Sequence, residues 1–316
     1  MLIGLDRRCV VTDFFFERFD VAPSSLIVEC AAVLNGINNV LALMDEKGSG
    51  MIVNRTGSFS LGALKLNVYP TREASGIAAA NHAAAALKEL SAGRESIGVI
   101  FATGASQLEA LRALVKIEGL PWSKVSGFHM DDYIDLPKDH RASFLRYLKS
   151  NLTERVAMKI FLPMDGNAAD VERTCSEYAA ALRSADPQLC LLGIGENGHL
   201  AFNDPGEADF NDPREVKVVT LDQPCREQQA SEGWFERFED VPEHALTLTM
   251  PTLFRVPKII VSISGKRKAH IVRRTLLDPI STACPSTILR THSDTTLYLD
   301  EAAAGEIWDV VVPVVS

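Results

Sequence analysis

The stretch Gly193-Ile194-Gly195-Glu196-Asn197-Gly198-His199-Leu200-Ala201-Phe202-Asn203-Asp204-Pro205 concentrates residue types that move protons. His199 is of the one type whose ordinary charge change falls near neutrality. Glu196 and Asp204 lie close enough in sequence to orient it, so a general base and carboxylate partners share one segment. The apolar Leu191-Leu192 ahead of two glycines reads as a buried strand opening into a loop. In open α/β sheets, ligands bind at such carboxyl-end loops. Taken alone, a Gly-His pair is more often a glycine-rich turn with a hydrogen-bonded surface histidine, so the rest of the chain has to decide.

Three more clusters fall at strand ends. Thr103-Gly104-Ala105-Ser106 offers two hydroxyls, a glycine and the free amides of a helix start, which suit an anion. Ser106 acting only as a helix cap explains it equally well. Asp131-Asp132 follows the strand-like Val125-Ser126-Gly127-Phe128-His129-Met130. Adjacent side chains diverge, so one of these acids is expected to face a ligand; a solvated loop is the alternative, and His129 reads as structural. Ser264-Gly265-Lys266-Arg267-Lys268 passes from strand to helix with cations that oppose the helix dipole and favour an anion beside them, although solvation accounts for Lys266 and Arg267 as well. Together these clusters describe one site for a small phosphorylated metabolite.

A scaffold must bring those strand ends to one edge. Strand-like runs at 64–69, 96–101, 125–130, 216–221, 245–249, 258–264 and 295–299, and one opening at Leu189, alternate with helical stretches at 70–92, 107–117, 141–152, 170–185 and 266–277. This predicts an α/β fold: a Rossmann-like, mostly parallel open sheet with helices on both faces, in a single large domain. Right-handed crossovers would align the strand-end loops along one edge. Residues 1–60 lack this pattern and read as an N-terminal extension ahead of a domain at 61–316. The extension holds an aromatic cluster (Phe14-Phe15-Phe16 and Phe19), a flexible break at Lys47-Gly48-Ser49-Gly50 and an alternative start at Met51; residues 1–50 are expected to be dispensable.

Composition narrows the partners. The formal net charge is -9, with 47% hydrophobic and 23% charged residues, so no basic surplus exists to displace phosphate counterions and no nucleic-acid partner is expected. Residues 26–44 contain Glu29, Asn35, Asn38 and Asn39, too polar for a membrane span. The six cysteines Cys9, Cys30, Cys175, Cys190, Cys225 and Cys284 are scattered without zinc-like spacing and read as reduced thiols of a cytoplasmic protein. Dinucleotide, nucleoside-triphosphate and HExxH motifs are missing, so neither a cofactor nor a metal is expected.

At this point the motifs acquire a family. The segment at 193–205 resembles the signature of glucosamine-6-phosphate deaminases (isomerases), and Phe128-His129-Met130-Asp131-Asp132-Tyr133-Ile134-Asp135-Leu136-Pro137 is similar to that family's Met-Asp-Glu-Tyr stretch. The likeness continues through Ser143-Phe144, Gly166-Asn167-Ala168 and residues 242–253. The resemblance implies conversion of glucosamine 6-phosphate and water to fructose 6-phosphate and ammonia, without metal or organic cofactor, by a domain at 61–316. It implies that Asp131 moves a proton between C2 and C1, and that His199 opens the pyranose ring while Asn197 and Asp204 hold it. Thr103, Gly104, Ser106 and Lys268 would bind the phosphate of a small phosphorylated sugar. The sugar epimer stays open, as does a homo-oligomeric state.

The chain departs from the family pattern at four positions. Asn197 stands where many members carry aspartate, Asp204 replaces the usual glutamate, and Asp132 stands where glutamate is common. The phosphate-binding arginine expected ahead of an aromatic pair is Gly233, before Trp234-Phe235, which makes Arg226 the candidate substitute. A 6-phosphogluconolactonase-type hydrolase shares the Gly-x-Gly-x-x-Gly-His core but continues differently, through His-Thr-Ala-Ser-Leu-Phe-Pro. A non-catalytic sugar-phosphate sensor is the other alternative, opposed by the joint presence of Asp131 and His199.

Overall fold

Short runs buried along their whole length build the centre of the molecule. β3 (Ile97–Phe101), β4 (Val125–His129), β7 (Leu189–Leu192) and β11 (Thr295–Asp300) have every residue buried, and β10 (Lys258–Ile263) all but its first. Such continuous burial is what a parallel sheet covered on both faces requires. In the computed structural model these strands join β2 (Leu64–Tyr69) and β6 (Ile160–Leu162) in the parallel order β2-β11-β10-β7-β3-β4-β6. β1 (Gly57–Leu61) and β12 (Val312–Pro313), antiparallel to each other, complete nine strands among the described residues, which are 56–308 and 312–313. The aromatic cluster around Phe14, the 26–44 stretch, Cys9, Cys30 and Met51 lie outside them. The sheet thus takes in residues 57–60, placed in the extension by sequence alone.

Alternation decides which side chains face which layer. Ile97, Val99 and Phe101 pack with the alanine-rich α1 (Arg72–Ser91) and with α2 (Leu108–Leu114). Ile100 points the other way, into a cluster with Cys175, Tyr178 and Leu182 of α4 (Val171–Ala185). Helices therefore cover both faces, as the strand–helix alternation predicts. α3 (Phe144–Leu148) is followed by one turn of π-helix, so the expected 141–152 helix is real but broken. No helix among the described residues is long and apolar enough to cross a membrane.

The sequence reading missed a second, three-stranded antiparallel sheet. β5 (Asp131–Tyr133) pairs with β9 (His244–Leu248), which pairs with β8 (Val216–Thr220). Asp131 and Asp132 are consequently strand residues opposite Thr247 and Leu246 rather than members of a loop. Three residues are too few to show alternation, and only Met130 separates β5 from β4, so the two merged in the sequence pattern.

The main sheet reverses direction of growth between β3 and β7. β3, β4 and β6 run outward to one edge, while β7, β10 and β11 run to the other. Adjacent loops leave the sheet on opposite sides at such a point and open a crevice.

Candidate active site

The crevice is occupied by the expected residues. Residues 102–107 leave β3, Met130 and Asp131 follow β4, Gly193, Ile194, Gly195 and His199 follow β7, and Lys268 follows β10; all line one cavity. Thr103, Gly104, Ser106, Asp131, His199 and Lys268, drawn from four separate segments, thus face a common space.

Two of these loops are conformational twins. Gly104 (φ 96°, ψ 172°) and Gly265 (φ 93°, ψ 149°) each start a single 3-10 turn that leads into a helix, α2 in one case and α6 (Ala269–Leu277) in the other. A positive φ of this kind admits glycine at little cost and other residues poorly. The loops touch: the Ser264 N–H lies 3.4 Å from Ser106 Oγ. Ser106 makes no cap to its own helix, which removes the cap-only reading of that residue. Behind them the buried Gln107 donates through Nε2 to Leu192 O (3.0 Å) and Ser262 O (3.3 Å), tying the exits of β7 and β10 to the β3 loop. Tyr147 braces the same loop by donating to Gly104 O (3.0 Å). Lys268 is buried and donates to Ile194 O (2.9 Å). Burial lowers its ammonium pKa, against the pull of Glu232 and Glu196.

Strand pleating separates the two acids. Asp131 lines the cavity and Asp132 does not, as successive residues of a strand must diverge. Burial, and then the neighbouring Asp132 charge, push the Asp131 carboxyl well above the usual carboxylate range. Its Oδ1 is buried without a hydrogen-bond partner. Asp132 is pushed up to about 7, mainly by burial, with amide donors from Tyr133, Phe144 and Leu145 opposing. Tyr133, Phe144 and Phe202 form the aromatic packing beneath, with ring centroids 5.0–5.5 Å apart.

His199 lies flat on Gly195. A Cβ at position 195 would fall 2.2–2.4 Å from three ring atoms, so no side chain fits there. The His199 N–H donates to Asn197 Oδ1 (3.1 Å), and its ring Nδ1 stands 2.8 Å from Asp204 Oδ1, off the line a ring N–H would take. Burial works to raise the Asp204 carboxyl, but His199, Asn197 and the Asp222 amide together hold it below its ordinary value. The loop turns sharply just after the histidine, where Ala201 adopts φ 51°. Such strain in a non-glycine residue belongs to sites that the surroundings over-determine.

Comparisons with known proteins show the family. Residues 70–298 match the family described as glucosamine-6-phosphate isomerases/6-phosphogluconolactonase. The chain belongs to this family. It is 33% identical over 217 residues to glucosamine-6-phosphate deaminases of Bacillus thuringiensis (strain Al Hakam) and Bacillus cereus (strain AH820), covering 69% of this chain and 80% of each relative. Among solved structures it resembles a monomeric glucosamine-6-phosphate deaminase (30% identity, TM-score 0.70, 76% of this chain and 99% of that one). A 6-phosphogluconolactonase from Thermotoga maritima (21% identity, TM-score 0.60, 74% of this chain and 99% of that one) shares the fold.

Within this isomerase/lactonase framework several residues fall outside what the motifs indicated. Arg226 does not line the cavity: it donates to Val241 O (2.9 Å) and its guanidinium lies 4.4 Å from the centre of the Phe238 ring. The substitute for the arginine missing at Gly233 is therefore not Arg226 in this structure. Asn197 and Asp204 stand behind His199 rather than in the cavity wall. The cavity wall instead includes Gln228 and Gln229 of α5 (Gln223–Ser231) and the following Glu232, none of which sequence reasoning had singled out. Glu196, an early candidate orienter of the histidine, pairs with Arg267 (2.9 Å). Arg72, in the first turn of α1, reaches over to Ser264 Oγ (3.2 Å) beside the twin loops.

One cluster among the described residues has metal-ligand types at close range: ligand atoms of His199, Asp204 and Cys225 lie within 4.8 Å of one another. Burial, with Asp204 and Asp222 adding, raises the Cys225 thiol well above its ordinary value. A thiol held in its protonated form is a poor metal ligand, since the thiolate is the binding species. The chemistry of this donor set favours a proton-holding network around the histidine.

Proposed function

We propose that the chain isomerises and deaminates a 6-phosphorylated amino sugar, converting glucosamine 6-phosphate and water to fructose 6-phosphate and ammonia. The observation that carries this reading is the shared cavity: a buried carboxyl at Asp131 and the imidazole of His199 face the same space as two glycine turns and Lys268. His199 would transfer a proton to the ring oxygen and take one from the anomeric hydroxyl, opening the ring. Asp131, as carboxylate, would remove the C2 proton from the open chain and return it to C1. The resulting C2 iminium would add water and expel ammonia. Proton removal beside a carbonyl needs a positioned base, and Asp131's raised affinity for protons makes its ionised form a stronger one. Lys268, Thr103, Gly104 and Ser106 would hold the phosphate, whose binding energy positions the reacting carbons.

The test is ammonia release from a panel of 6-phosphorylated amino sugars, with hydrolysis of 6-phosphogluconolactone run alongside. Release from glucosamine 6-phosphate, lost in Asp131→Asn while phosphosugar binding persists, is the expected result. Lactone hydrolysis without ammonia release would replace this reading by the lactonase one.

A further inference from the structure

His199 is held through Asn197, and Asn197 is held from outside its own loop. The Asn197 amide has two N–H bonds, and both meet carboxylates: Nδ2 lies 3.0 Å from Asp204 Oδ1, and 3.2 and 3.1 Å from the two oxygens of Asp222. That leaves Asn197 Oδ1 to accept the His199 N–H at 3.1 Å. Rotating the amide by half a turn would set its oxygen against two carboxylates and its N–H bonds against another N–H. The Asp222 backbone N–H also donates to Asp204 Oδ2 (3.2 Å), so Asp222 grips both residues that contact the histidine.

Asp222 has a second attachment. It is the N-cap of α5, where its Oδ1 accepts the Cys225 N–H at 2.7 Å. Gln228 and Gln229 of that helix line the cavity. One carboxylate therefore joins the histidine's support to the helix that supplies part of the cavity wall.

We propose that Asp222 is a positioning residue for His199, supplying from the α5 N-cap the carboxylate that orients Asn197 and adds negative charge behind the imidazole. The inference rests on the proposed role of His199 in ring opening. The charged and titratable groups about the histidine are Asp204 and Asp222 behind it, the Cys225 thiol beside Asp204, and Asp131, Glu232 and Lys268 in the cavity. Asp222 feels the opposing effects of Asp204 and His199, which places it within electrostatic reach of both.

A carboxylate swap tests this in the full chain. Asp222→Asn should lower kcat about tenfold more than it changes KM, and move the His199 titration downward as a negative charge disappears. Asn197→Asp crowds three carboxylates and should also lose activity. The Asn197→Asp/Asp222→Asn double variant removes one of those three carboxylates while an acid at 197 still faces Asp204, and should recover part of the kcat lost in Asn197→Asp. Asp222→Ser keeps a cap for α5 without the charge; it should show the lowered titration with an unfolding midpoint near the parent's. An Asp222→Ser protein with parental kcat and parental His199 titration overturns the proposal, as does a double variant no better than Asn197→Asp. The titration is read by NMR of the ring, assigned through the signal absent in His199→Gln. It does not depend on which sugar is turned over, so loss of the deaminase reading and loss of this inference are separate results.

Discussion

Asp132→Asn isolates the cost of charging a buried acid beneath the site. The Asp132 carboxyl is 7% exposed, and burial raises it from near 3.8 to about 7. The unfolded chain returns it to its ordinary value, so between those two pH values the unfolded state sheds a proton that the folded state retains. The group's contribution to stability is therefore fully present below about pH 4 and is lost as pH rises toward 7. A shift of roughly three units at 1.36 kcal/mol each amounts to about 4 kcal/mol. Asparagine keeps an oxygen able to accept the Tyr133 N–H that Asp132 Oδ1 takes at 2.9 Å, but it cannot ionise. Urea unfolding of both proteins at intervals from about pH 4 to about pH 8 reads the difference directly. The parent should lose stability relative to the variant across that interval, by about 4 kcal/mol from Asp132 itself. Asp131 titrates in both proteins, so the difference curve reports Asp132 and the relief of its repulsion on Asp131. A difference that is flat from end to end would refute the claim that burial sets the protonation of this strand.

Three shorter predictions concern other parts of the molecule. Gly195→Ala puts a methyl group 2.2–2.4 Å from the His199 ring, so the ring must shift, and kcat should fall on the order of 10²-fold while far-UV circular dichroism stays unchanged. Lys217 and Asp212 form a buried pair at 3.0 Å with side chains 3% and 2% exposed; Asp212→Ala leaves the buried ammonium with the Glu207 carbonyl but no carboxylate and should cost about 3 kcal/mol in chemical denaturation, whereas replacing both by apolar residues should cost far less. Arg72 hydrogen-bonds Ser264 beside the twin glycine turns, so Arg72→Ala should weaken inhibition by inorganic phosphate about tenfold, roughly 1.4 kcal/mol, with kcat unchanged.

Chemistry at strand ends was legible because it is local. Loops after β3, β7 and β10 combine an apolar run, a glycine and polar residues within a few positions, and each was found where expected. What stayed hidden depends on side-chain direction and on pairing between distant segments. Arg226 has the right charge, but its place on α5 turns it toward Phe238 and Val241. α5 reads Gln223-Pro224-Cys225-Arg226-Glu227-Gln228-Gln229-Ala230-Ser231, with no apolar stripe to announce a helix, although Asp222 ahead of Pro224 is an N-cap signal. β8 and β9 looked like members of the main sheet because alternation records burial, not the partner strand.

The placement of charge across the strand exits limits the shape of the ligand. Lys268 starts from the β10 exit but reaches back to Ile194 O, over the end of β7. Ser106 starts from β3 and meets the Ser264 amide of the β10 loop. The residues proposed to hold the phosphate therefore converge near the β7 exit, whereas Asp131 follows β4, two strand positions away. At about 4.8 Å per strand, that is roughly 10 Å of sheet width. A compact anion cannot engage both ends, so a substrate that uses Asp131 must carry its phosphate several bonds from the reacting carbon. Phosphate on C6 with reaction at C1 and C2 meets that requirement, and phosphate on C1 does not. A 6-phosphorylated lactone meets it too, but its hydrolysis removes no proton from C2. Under the proposed function the cavity-facing Asp131 moves the C2 proton, so its substitution should leave any lactone hydrolysis far less affected than ammonia release.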